Sequence, residues 1–168
     1  MEDDIRLKEV PFRDIPDITR EPRFRVHVVS RTTPTTDTIE LVLEKPEGFT
    51  FLPGQYIWLV LPKRSSTFGI VDRRTYSICS GIDERSLHLL IRVTQGEYLQ
   101  AVGNLNADDE VEIIGPMGSA FCVPSQGAVM ISGGTGLTPF LSIVKSHLSG
   151  GGCFLFLRII ARRDPSTP

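Results

Sequence analysis

Four consecutive residues, Arg74, Thr75, Tyr76 and Ser77, put a fixed cation, an aromatic face and a hydroxyl on one strand-like stretch. Residues i and i+2 of a strand share a face, so Arg74 and Tyr76 point one way and Thr75 and Ser77 the other. A forked, permanently charged guanidinium suits a diphosphate, and a tyrosine ring suits a flat aromatic ligand. Taken alone, so short a motif is also what a surface arginine beside a half-buried tyrosine would look like. Further along, Ser132-Gly133-Gly134-Thr135-Gly136-Leu137-Thr138-Pro139 makes a glycine-rich turn between an apolar strand and an apolar helix. It is not a P-loop, since no Gly-Lys-Ser/Thr follows, and not G-x-G-x-x-G, since Pro139 stands at the third glycine position. Missing side chains there permit close backbone approach, and a helix N-terminus faces the ligand. Thr135 and Thr138 either cap that helix or contact a phosphate, and Pro139 suits a first helical turn.

The elements that must position these residues fall into two kinds. Residues 1–23 are charged, proline-bearing and without sustained period, which predicts an extended arm. Alternation then predicts strands over Phe24–Val29 and, more clearly, over Asp37–Glu44, with Ile39, Leu41 and Leu43 on one face. Pro46-Glu47-Gly48 and Leu52-Pro53-Gly54 mark turns before a strand over Gln55–Leu61. Further strands are expected at Arg74–Cys79, Leu87–Val93 and Glu110–Ile114, with one short helix within Glu97–Leu105. Six short strands and one brief helix predict an all-β six-stranded antiparallel barrel, closed or nearly closed. From Gly127 the pattern changes to an apolar run over Ala128–Ser132, the glycine-rich turn, helical spacing from Phe140 to Leu148, and a second apolar run over Cys153–Ile160. That is the β-α-β order of a parallel sheet, with a boundary near Pro124–Gly127.

Composition bounds the class. The chain has 168 residues, 40% hydrophobic and 23% charged, enough to bury a core. A net charge of -2 argues against a general nucleic-acid binder. No apolar run reaches the length of a membrane span and Met1–Asp4 is acidic rather than leader-like, so a cytoplasmic location is the expectation. Cys79, Cys122 and Cys153 match no zinc or iron-sulfur spacing, which predicts reduced thiols and no metal in this chain.

Four motifs occur in order: Phe51-Leu52-Pro53-Gly54-Gln55-Tyr56, Arg74-Thr75-Tyr76-Ser77, Gly115-Pro116-Met117-Gly118-Ser119-Ala120-Phe121 and Gly133-Gly134-Thr135-Gly136-Leu137-Thr138-Pro139. This series resembles the ferredoxin-NAD(P) reductase family of flavoproteins, over about Phe24–Arg163. The resemblance implies a flavin-binding barrel of Greek-key type over residues 24–124, followed by an incomplete NAD(P)-binding domain over residues 125–168. It implies Arg74 on the flavin pyrophosphate, Tyr76 stacked on the isoalloxazine, and Ser77 near the atom where hydride arrives, so Tyr76 and Ser77 are the catalytic candidates. FAD is the implied cofactor, ahead of FMN, with NAD(P)H as co-substrate and a ferredoxin, flavodoxin or fused redox domain as acceptor. A flavin-holding or cofactor-free barrel subunit that needs a partner is the alternative. A cluster-bearing reductase of the dihydroorotate type is disfavoured by the cysteine spacing.

A second cofactor segment of the family matches Arg92-Val93-Thr94-Gln95-Gly96-Glu97-Tyr98-Leu99. Arg92, Thr94 and Gly96 are the candidates there, and Leu99 stands where the family has a hydroxyl. Gly133, Gly134, Thr135, Gly136 and Thr138 match the nicotinamide-dinucleotide pyrophosphate turn. Arg162 and Arg163 lean toward a 2′-phosphate but equally fit a solvated basic cluster. The family's remaining parallel strands and its Cys-Gly-containing nicotinamide-side motif have no counterpart here. The strand over Phe154–Ile160 is therefore expected to present an apolar edge and turnover with NAD(P)H to be feeble.

Overall fold

A computed structural model describes residues 19–62, 73–118, 129–148 and 155–159. The strands are β1 (Arg23–Thr35), β2 (Thr38–Glu44), β3 (Tyr56–Val60), β4 (Arg73–Ser77), β5 (Ser86–Arg92) and β6 (Glu110–Met117), with helix α1 (Glu97–Gly103) between the last two. Then follow β7 (Val129–Gly133), a 3-10 turn (Gly134–Leu137), α2 (Thr138–Leu148) and β8 (Leu155–Ile159). The first six strands form one antiparallel sheet in the order β4-β3-β6-β1-β2-β5. The insertion of β6 between β3 and β1 is the Greek-key feature.

Alternation sets the register. Ile39, Leu41 and Leu43 of β2 lie opposite Ile91, Leu89 and Leu87 of β5, and all six are buried. Val26 and Val28, Ile57 and Leu59, and Val111 and Ile113 supply the other inward faces, with Phe49 and Phe51 packed among them. A one-residue slip in any of these strands would turn its whole apolar set to solvent. The turn before β3 follows from Pro53-Gly54: Gly54 has φ +91°, which the third residue of a type II turn requires, and Gln55 N–H bonds Leu52 O at 3.1 Å.

The sheet curls until its end strands face one another. Just past β4, Cys79 N–H donates to His88 O at 2.9 Å. Between Arg73–Ser77 and Leu90–Arg92, however, no ladder is present among the described residues, and the barrel has an open seam. β7 and β8 pair in parallel, with Val129 opposite Leu155 and Gly133 opposite Ile159.

Several boundaries differ from expectation. β1 continues past Val29 to Thr35. Register shifts between Val28 and Ser30 and between Thr32 and Thr35 interrupt its alternation, and most of its second half is exposed on both faces, so no apolar period marks it. β6 runs beyond Ile114 to Met117. The expected domain boundary near Pro124–Gly127, residues 1–18 of the arm, Ser119 to Phe121, Cys122, Cys153, Phe154, Arg162 and Arg163 lie outside the described residues.

Candidate functional site

The open seam forms a groove of about 440 Å³. Arg74, Thr75, Tyr76 and Ser77 line it from β4, Leu90 and Arg92 from β5, and Leu99 from α1. Thr135, Gly136, Thr138 and Pro139 close the other side. An open strand edge explains the first group: β4 pairs with β3 on one side, and among the described residues its other edge has no ladder partner and is left to the groove.

On β4, Arg74 pairs with Leu59 and Tyr76 with Ile57, so both extend from the barrel's inner face at its rim. Thr75 and Ser77 oppose Trp58 and Tyr56 on the outer face, where Arg73 lies over the Trp58 ring at 5.3 Å. Beneath the groove, the Arg74 guanidinium carbon sits 5.3 Å from the centre of the Tyr98 ring, a cation-π distance. Tyr98 is buried and donates its hydroxyl to Leu59 O at 2.8 Å. Burial, and then the neighbouring Tyr76, push the Tyr98 phenol well above its ordinary range.

Burial also raises the Tyr76 phenol. The Tyr98 hydroxyl lies close by, yet its proton goes to Leu59, and Tyr76 Oη has no partner of hydrogen-bond geometry among the described residues. Across the seam, Arg92 Nε donates to Asp37 Oδ2 at 2.6 Å. That bond, reinforced by the Thr35 and Thr38 hydroxyls, holds the Asp37 carboxyl below its usual value.

On the glycine-rich side, Gly134 has φ +52°, which favours glycine. A Cβ built on Gly136 would meet nothing within 4 Å, so the turn is open to close approach. Thr138 is buried and its hydroxyl donates to Thr135 O at 2.9 Å, which shapes the turn.

Of the residues singled out in the sequence, Arg74, Tyr76, Ser77, Arg92, Thr135, Gly136 and Thr138 meet in this groove. Thr94, Gly96, Gly133 and Gly134 do not line it. Thr94 is exposed and its carbonyl accepts from Gln100, while Gly96, at φ +132°, opens α1. The sequence alone does not single out Leu90 or Tyr98. Leu90 is one of several alternating leucines, and the place of Tyr98 under Arg74 depends on tertiary packing. Among the described residues, no group of three or more His, Cys, Asp or Glu could hold a metal ion, and no helix is long and apolar enough to cross a membrane.

A model of the FAD-binding domain family matches residues 22–112, which is the barrel up to its sixth strand. The chain belongs to this family. It is similar to the reductase component of the naphthalene 1,2-dioxygenase system of Pseudomonas putida, with 31% identity over 130 residues, 74% of this chain and 37% of that one. It is 29% identical over 129 residues to the electron transfer subunit of dihydroorotate dehydrogenase B from Listeria welshimeri, 74% of this chain and 49% of that subunit. The chain thus spans half or less of the length of these relatives. Among solved structures, the ferredoxin NADP+ reductase of Neisseria gonorrhoeae with bound FAD and NADP superposes with a TM-score of 0.68 at 21% identity, covering 85% of this chain and 58% of that one.

The residues of this FAD-binding chain fit the cofactor. Two guanidinium groups, Arg74 and Arg92, border one groove, Tyr76 offers a ring at the barrel rim with a hydroxyl unpartnered among the described residues, and a turn with open space at Gly134 and Gly136 stands across from them.

Proposed function

We propose that the chain is the FAD-binding part, with the beginning of the nicotinamide-dinucleotide part, of an oxidoreductase that takes electrons from NAD(P)H and passes them to a one-electron acceptor such as a ferredoxin, a flavodoxin or a fused redox domain. The observation that carries this reading is the single groove into which β4 and the glycine-rich turn both open. A barrel that only held a flavin would have no need of a glycine-rich turn opening on the same groove.

In this reading Arg74 and Arg92 neutralise the FAD pyrophosphate. Tyr76 lies against the flat ring system, and the backbone of Thr135–Thr138 receives the dinucleotide pyrophosphate at the start of α2. Ser77, on the outer face of β4, offers a hydroxyl that can donate or accept a proton at the flavin's edge. Bound FAD supplies the exchange between two-electron hydride chemistry and one-electron transfer. The apolar lining from Leu90 and Leu99 excludes water from that region.

Titration with FAD and FMN, followed by anaerobic addition of NADH or NADPH, tests the reading. A yellow protein that prefers FAD and bleaches with one of the nicotinamides is the expected result. A protein that takes up FAD and never bleaches points to the partner-dependent barrel subunit instead. One that binds no flavin removes both.

A further inference from the structure

We propose that Glu84 is a positioning residue for the dinucleotide side of the groove: by holding Lys145 it fixes where α2, and with it the Thr135–Thr138 turn, stands over the barrel seam. The inference rests on the reading of the groove as a flavin and dinucleotide site and deepens it.

Glu84 lies in the turn between β4 and β5. Its Oε1 accepts from Lys145 Nζ of α2 at 3.2 Å and from Gly81 N–H of its own turn at 2.8 Å. Its Oε2 faces His88 Nε2 at 3.5 Å, and His88 Nδ1 faces Glu40 Oε1 of β2 at 2.9 Å. The carboxylate is therefore anchored in the barrel before it meets the helix. Against burial, which would raise it, the Gly81 N–H bond, then Lys145 and last His88 together keep the Glu84 carboxyl below its ordinary value.

An exposed ion pair alone contributes little. Here it is one of three attachments that converge on the same helix. Ile82 N–H donates to Ser146 Oγ at 3.1 Å, next to Lys145. A Cβ built on Gly81 would lie 3.3 Å from Lys145 Cβ, so the turn meets the helix closely where it has no side chain. The turn is braced from behind, because Lys45 Nζ donates to Ile82 O at 2.6 Å and to Glu84 O at 3.3 Å.

The geometry makes this a lever. From Lys145 back to Thr138 is about two helical turns, roughly 10 Å at 1.5 Å per residue. The latch grips the C-terminal half of α2, while its first residue, Thr138, borders the groove. A rigid helix held at that end carries its start with it. Lys145 and Glu84 thus act on the groove wall without touching anything bound there.

The test uses the whole chain and two readouts. Amide hydrogen exchange over Phe140–His147 needs no ligand, and visible circular dichroism of bound FAD reports the groove wall. Lys145→Met and Glu84→Gln are each expected to speed exchange in α2 by about two- to five-fold, the size of a surface ion pair, and to change the dichroism of the bound flavin. Lys145→Arg should keep both signals. Lys145→Glu should exceed Lys145→Met, and adding Glu84→Gln to it should remove the excess, which is the mark of direct coupling. Unchanged exchange in Lys145→Met, or an excess that survives Glu84→Gln, would overturn the latch. Faster exchange with an unaltered flavin spectrum would overturn the positioning role and leave only stabilisation. A wild-type chain that binds no FAD would sink the flavin reading and the positioning role together, while the exchange data would still decide whether Glu84 holds Lys145.

Discussion

The guanidinium of Arg74 rests over the ring of Tyr98 at 5.3 Å, and Tyr98 is tied through its hydroxyl to Leu59 O on β3. The cation at the groove is thus held from below by a buried aromatic that is itself fixed to the sheet. Arg74→Ala should remove a charge-assisted phosphate contact and weaken FAD binding roughly ten- to hundred-fold. Fluorescence titration with FAD checks this, and wild-type affinity in the variant would remove Arg74 from the site.

Tyr98 separates support from contact. Tyr98→Phe keeps the ring under Arg74 but removes the hydroxyl's bond to Leu59 O, so it should lower barrel stability by about 1 to 2 kcal/mol while FAD affinity is retained. Tyr98→Leu should lower both. Urea unfolding beside FAD titration distinguishes the two, and equal affinity in all three proteins would show that the ring does not orient Arg74.

Tyr76 carries a buried hydroxyl without a partner among the described residues. Removing an unsatisfied buried group costs little, so Tyr76→Phe should leave the stability of the flavin-free chain unchanged or slightly raised. It should also keep FAD, because the π-face remains, whereas Tyr76→Ala should lose affinity and alter flavin fluorescence. Equal losses of affinity in both variants would transfer the contact from the ring to the hydroxyl.

Asp37 links the seam to pH. The Arg92 hydrogen bond, with those of Thr35 and Thr38, lowers its folded-state pKa. A lowered carboxyl pKa contributes stability that is present above the unfolded value and lost as pH falls through the folded one. Wild-type stability should therefore decline below pH about 4 more steeply than that of Asp37→Asn. Urea midpoints measured through the acid range decide, and parallel curves would mean that the Asp37–Arg92 bond does not survive in solution.

Cys79 should be inert. It is buried, and burial pushes its thiol up to about 12. The thiolate is the reactive form, so iodoacetamide at pH about 8 should modify Cys79 only under unfolding conditions. Peptide mass mapping of native and urea-treated protein locates the label, and ready modification of the native chain would place Cys79 at the surface.

Much of this organisation is legible in the residues themselves. Ile39, Leu41 and Leu43 alternate because one face of β2 is buried, and the same rule puts Arg74 and Tyr76 together. The step from alternating strands to apolar runs around a glycine turn correctly announces a parallel pair. What escapes is of another kind. The second half of β1 is exposed on both faces and broken by register shifts, so it has no period to read. Thr94 and Gly96 fit a motif by spacing, but the chain's course into α1 carries them off the groove lining. Tyr98 beneath Arg74, and Glu84 against Lys145, are meetings of elements far apart in the chain, which only packing creates.

The groove occupies the place where a sixth strand pairing, β5 with β4, would have closed the barrel. Backbone groups of β4 and β5 that face the seam gain no ladder partner from each other, so a nucleotide seated there would act as a removable stave. By mass action such a ligand adds stability in proportion to the logarithm of its concentration. Flavin supply would then govern how long the bare strand edges stay open to another chain, which makes cofactor availability a determinant of solubility during synthesis as well as of colour afterwards.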